Sequence, residues 1–110
     1  MTVQSIQHME SLIVELAVRC LIRAGYRVGV RSPDGMVIHQ GATMDLDAVV
    51  GAAAAARNAM LTVWGARFPA GYVLLTFGRI GHDVIADNSM SLETVLSPAV
   101  DLAEQFAQAQ

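Results

Sequence analysis

At 110 residues the chain has the length of one domain, and its 54% hydrophobic content exceeds what so small an interior holds, which points to a second subunit covering the excess. The net charge of −3 excludes a strongly basic nucleic-acid coat protein, and the charge-free stretches, Ala48–Ala56 and Phe68–Gly78 among them, are far shorter than the roughly 18–20 apolar residues that cross a membrane. The single cysteine, Cys20, excludes an intrachain disulfide, and "MTVQSIQHMESLIVELAVRC" lacks the basic start and small-residue cleavage site of a signal peptide, so the expected compartment is cytoplasmic.

In chain order, the first segment predicts a leading helix over residues 3–24. Ile6, Met9, Ile13, Leu16 and Cys20 recur at helical spacing, and Leu12, Val18, Leu21 and Ile22 widen the apolar face. His8, Ser11, Glu15, Arg19 and Arg23 form the polar stripe, and Gly25 suits a C-terminal cap. A hairpin–helix unit follows over residues 26–60. Tyr26, Val28 and Val30 alternate with Arg27, Gly29 and Arg31 at the period of a half-buried strand. Ser32-Pro33-Asp34-Gly35 is a turn, with Pro33 presetting φ, Asp34 able to bond its own backbone and Gly35 accepting positive φ, and Met36–Gln40 returns as the second strand. Asp45–Met60 reads as a helix capped by Thr43 or Asp45, with the small-residue run "VVGAAAAA" at its middle. "WGARFPAG" reads as a loop, in which Trp64 either closes the core at the helix end or, with Phe68, anchors an interface.

A second hairpin–helix unit spans residues 72–108. Tyr72–Phe77 and Asp83–Asp87 are its strands; Asn88, Ser89 or Ser91 caps a helix whose apolar face holds Leu92, Val95, Leu96, Ala99, Leu102, Ala103 and Phe106. Pro98 removes a backbone donor, which predicts a kink or a restart capped by Ser97. Met44-Asp45-Leu46-Asp47-Ala48-Val49-Val50 lies over Met90-Ser91-Leu92-Glu93-Thr94-Val95-Leu96, and Tyr26 lies over Tyr72 at the same offset, so the two units read as a structural repeat. The expected fold is α+β, αββαββα: one domain over residues 1–110, with a four-stranded antiparallel sheet made by the two hairpin–helix units behind the leading helix. Val73, Leu75 and Phe77 point to one face while Tyr72 and Leu74 point to the other, so both faces are expected to be covered, by helices or by a partner subunit.

The chemistry-bearing residues are sparse. His82 with Asp83 or Asp87, joined by His39, has the residue types of an acid–base pair or a metal site, but no metal-ligand spacing is present. Cys20 lies on an apolar helix face without a base beside it, and Gly78-Arg79-Ile80-Gly81 joins two strands rather than a strand to a helix, which excludes a phosphate-binding loop of the usual kind. The expectation is therefore a protein without catalytic residues, metal or cofactor. Two surfaces remain. Arg19, Arg23, Arg27 and Arg31 fall in a stretch with no acid from Leu16 to Pro33 and form a candidate patch for a protein partner or a nucleic acid; Trp64, Phe68, Tyr72 and Leu74 form a candidate interface.

Two families are similar in part. Phe77-Gly78, Asp83-Val84-Ile85, Asp87, Leu92-Glu93, Leu96 and Pro98-Ala99, within Gly71–Ala99, resemble a segment of small proteins of unknown function carried by bacterial phages and plasmids. That resemblance implies a mobile-element accessory protein, one that binds a host defence component in the manner of an anti-CRISPR. Tyr26–Ala59, with its strand, "SPDG" turn, strand and Ala-rich helix, resembles the roadblock-type regulatory domain. The resemblance implies a dimer and the order helix, two strands, helix, three strands, helix; the residues after Gly71 read as only two strands before the last helix. The function expected is that of a small protein-binding or inhibitor protein acting as a homodimer, with a roadblock-like GTPase regulator and an Arg-patch nucleic-acid binder as alternatives.

Overall fold

A computed structural model describes residues 3–77 and 84–108. The elements are α1 (Val3–Arg23), β1 (Arg27–Arg31), β2 (Ile38–Thr43), α2 (Leu46–Ala56), β3 (Ala59–Trp64), β4 (Pro69–Leu75), β5 (Ile85–Asn88) and α3 (Glu93–Gln108), with a 3-10 turn over Met90–Leu92 leading into α3. Among the described residues no helix is long and apolar enough to cross a membrane.

The leading helix ends where glycine allows it. Gly25 has φ +96°, its N–H donates to the Ile22 carbonyl at 2.9 Å, and the Tyr26 N–H donates to Leu21 at 3.1 Å, which together satisfy the last carbonyls of α1. The row of α1 that meets the sheet is Ile13, Val14, Ala17, Val18 and Leu21, all buried, with Leu16 and Ile22 half-buried beside it. The β1–β2 hairpin forms around the Ser-Pro-Asp-Gly turn. Asp34 Oδ1 accepts from the Ser32 hydroxyl at 2.6 Å and the Met36 N–H at 2.9 Å, and Ser32 Oγ accepts from the Val37 N–H at 3.0 Å. These bonds hold the carboxyl of Asp34 below its ordinary range, first through Ser32 and then through the Met36 amide.

α2 is capped as expected: Asp45 accepts from the Ala48 N–H at 3.2 Å, and Thr43 Oγ1 accepts from the Asp45 N–H at 3.1 Å. It stops at Ala56 rather than Met60. Arg57 takes φ +67°, and the chain reverses into β3, a strand whose first two residues fall in the expected helix over Asp45–Met60 and whose last, Trp64, falls in the expected loop. Residues 59–64 then alternate, with Ala59, Leu61 and Val63 buried and Met60, Thr62 and Trp64 half-buried. Thr62, Val63 and Trp64 favour the pleated surface, and the period of 2 overrides the helical propensity of the alanines before them. Trp64 is thus the last residue of a strand and not a plug at a helix end.

The sheet has five strands and not four, in the order β2-β1-β3-β4-β5, all antiparallel. The architecture is α+β, αββαβββα in place of αββαββα. Both expected hairpins are present, β1–β2 and β4–β5, each followed by a helix; β3 lies between them in the chain and in the sheet. The first strand begins at Pro69 in the second hairpin, three residues before the expected Tyr72, and the returning strand is Ile85–Asn88. Ser89 starts the following 3-10 turn without a side-chain capping bond; its Oγ instead accepts from the Tyr72 N–H at 2.8 Å. α3 does not restart at Ser97: Pro98 lies inside it, and Leu96, Ala99 and Ala103 are buried along its length.

One core holds these parts together. Register puts Val28, Val30, Ala59, Leu61, Val63, Val73 and Leu75 on one face of the sheet, and all are buried. Against them pack α1, Val49 and Ala53 of α2, and Leu96, Ala99 and Ala103 of α3. α1 is the central helix, in contact with both α2 and α3. All three helices therefore lie on a single face. The leading helix does not cover the other one.

Candidate protein-docking face

Alternation fixes which side chains the uncovered face presents. One cross-strand row runs Ile38, Arg31, Met60, Leu74, Asp87 through all five strands. A second runs Gly29, Thr62, Tyr72, and a third Arg27, Trp64, Pro69. Three of the four residues expected at an interface, Trp64, Tyr72 and Leu74, thus stand together on this face, and Phe68 projects from the β3–β4 connection beside Pro69, 75% exposed.

The face is ordered by its own bonds. The Trp64 indole N–H donates to Thr62 Oγ1 at 3.2 Å, which lays the ring along β3. The Tyr72 hydroxyl donates to Asp87 Oδ2 at 2.8 Å, tying β4 to β5. That bond, with the negative charge of Asp87 behind it, raises the phenol above its ordinary value. Arg31 donates to the Gly35 carbonyl at 3.2 Å, so its guanidinium is anchored to the first turn. The result is an aromatic and aliphatic strip, rimmed by Arg27 and Arg31 on one side and Asp87 on the other.

The arginines expected to act as one patch are divided between two layers. Arg19 and Arg23 are exposed on α1, where Arg19 pairs with Glu15 across one helical turn. Arg27 and Arg31 belong to the sheet face through β1. His39 is an exposed residue of β2 and His8 an exposed residue of α1. His82 and Asp83 lie outside the described residues. Among the described residues no group of three or more His, Cys, Asp or Glu side chains is placed to hold a metal ion. Cys20 is half-buried; burial raises its thiol, against the lowering effect of Arg23 and Arg19.

Two features escaped the sequence reading. Met60, Thr62 and Ile38 complete the open face, and their signal was the period-2 pattern of residues 59–64. Glu10 is buried, 5% exposed, in the same helical row as Ile13, Val14 and Ala17, and with Arg57 and Phe77 it lines a cleft of about 230 Å³ between α1 and the end of α2. Its three- and four-residue spacing from Ile13 and Val14 was the available signal.

No family model, curated protein or solved structure gives a significant match to the chain.

Proposed function

We propose that this chain is a non-catalytic interaction protein, a cytoplasmic homodimer that binds another protein through the open face of its sheet. The observation that carries the reading is the assembly of Trp64, Tyr72, Leu74 and Met60 on a face that none of the helices covers, with exposed Phe68 on the β3–β4 connection. Aromatic side chains with a nearby Arg are the usual anchors of protein interfaces, and a strip of this kind on a small domain marks a binding surface. A small inhibitor or accessory protein of the kind carried by phages and plasmids fits that design, because it needs a rigid surface and no active site. Affinity capture from lysate of the source cell, with and without nuclease, tests it. One protein enriched in both arms is the expected result; enrichment that vanishes with nuclease would move the function to Arg19, Arg23, Arg27 and Arg31 and a nucleic acid.

A second reading, a roadblock-like dimeric regulator of a GTPase, draws support from the element order. Helix, two strands, helix, three strands, helix is the order that resemblance implies, and β3 supplies the third strand. Binding of a small GTPase encoded beside this protein, compared between its GDP and GTP states, separates the two readings.

A further inference from the structure

β2 forms one edge of the sheet, and the chain around it is unguarded. Four of the eight large hydrophobics exposed among the described residues are here: Met36 at 82%, Val37 at 54%, Ile38 at 60% and Met44 at 52%. No charged residue and no proline lies between Asp34 and Asp45. Edge strands are ordinarily blunted by Lys, Pro or inward charge, because their open row of backbone donors and acceptors pairs with any extended chain. The opposite edge is blunted: β5 has four residues and carries Asp87, so a self-pair there would bring like charges together. Over β2 the helix layer offers no obstruction either. α2 packs on β2, and apart from Asp47 it exposes only Gly51, Ala54 and Ala55.

We propose that β2 is the subunit interface, pairing antiparallel with β2 of a second copy so that two five-stranded sheets become one. The placement of the apolar side chains selects a second copy over a foreign peptide. They stand at both ends of the strand, Val37 just before it, Ile38 at its first position and Met44 just after its last. An antiparallel self-pair centred on Gly41 sets Ile38 of each strand against Met44 of the partner subunit, twice by symmetry, and opposes no like charges. The proposal rests on the homodimer of the reading above and gives it a geometry. It leaves the two open faces side by side, so the docking surface is doubled rather than consumed.

Charge placed at the two ends of β2 tests this by sedimentation equilibrium, with circular dichroism to show the fold intact. Ile38→Glu with Met44→Glu is expected to be a folded monomer at concentrations where the native chain is a dimer. Ile38→Glu with Met44→Lys, which puts opposite charges across the two-fold, is expected to remain dimeric. A second variant needs no loss of association: Gly41→Cys in a Cys20→Ala background adds a side chain where the fold leaves open space, and mild oxidation is expected to give a covalent dimer. A monomeric native chain, a dimeric same-charge variant, or folded Gly41→Cys protein that does not cross-link overturns the proposal. Leu74→Lys separates it from the docking reading. This variant is expected to stay dimeric and lose the captured protein; if it dissolves the dimer while the β2 variants do not, the copies join by their faces and the edge pairing is wrong.

Discussion

Gly29 shows how much of the open face depends on one missing side chain. A Cβ there would stand 2.7 Å from Thr62 Oγ1 and 3.1 Å from the Gln40 carbonyl oxygen, inside contact distance on both neighbouring strands. Thr62 in turn holds the Trp64 indole, so the clash reaches the aromatic strip. Gly29→Val is expected to lower stability by about 1–3 kcal/mol, as overpacking does, and to change Trp64 fluorescence in the native state; an unchanged melting temperature would contradict the close approach. Asp34 gives a pH signature at the same scale. Its carboxyl is held below the ordinary range in the fold, so the ionised form is the one the turn favours. The stability it contributes is present above the ordinary carboxylate pKa and is lost as pH falls through the lower folded value. Asp34→Asn is expected to flatten the acid limb of hairpin stability, read by amide exchange of the β1–β2 hydrogen bonds. The turn residues, the Thr43–Asp45 cap of α2 and Gly25 were legible in the sequence because each rests on local chemistry, whereas the cap expected from Ser89 does not form, its Oγ bonding Tyr72 instead. Gly29 was not legible, since its constraint comes from Thr62, far along the chain.

At the scale of elements, periodicity located the two long helices and both hairpins, and it failed at the α2–β3 boundary. The helix there ends without glycine or proline: Arg57 itself takes positive φ, and an alanine run leads up to it. Alanine propagates a helix on paper, so the stop was hidden. What overrides it is tertiary, the place left for a central strand between β1 and β4. Leu61 is buried at the middle of that strand, and Leu61→Ala is expected to cost about 2–5 kcal/mol by denaturant unfolding. A loss under roughly 1 kcal/mol would place residues 59–64 outside the core. Leu92 fills the corner between β4 and α3 and is fully buried, so Leu92→Asp is expected to unfold the chain, seen as loss of circular dichroism at room temperature. Pro98 was expected to kink α3 or to restart it at Ser97; no restart occurs, and Pro98 lies inside one helix with Leu96, Ala99 and Ala103 buried along it.

Over the whole molecule, the sidedness of the sheet is the property on which the proposed function rests. Apolar residues on both strand faces were visible in Tyr72–Leu75, and a cover for each face was the expectation. The structure places all three helices on one side and leaves Trp64, Tyr72 and Leu74 on the other. The sequence could name these residues as an interface from their type alone, yet it could not bring them together, because their proximity depends on β3 lying between β1 and β4. The Arg patch fared differently: spacing along the chain suggested one surface, and folding divided it between α1 and β1.

The most direct test of the docking face is the binding of the captured protein to the native chain and to Leu74→Lys. Leu74 stands opposite Asp87, so a lysine there meets a carboxylate and the fold is retained. Interface anchors of this kind are worth about 2 kcal/mol or more, so the affinity is expected to fall at least roughly thirtyfold with the melting temperature unchanged. Undiminished binding by the folded variant would mean that the open face is not where the partner sits.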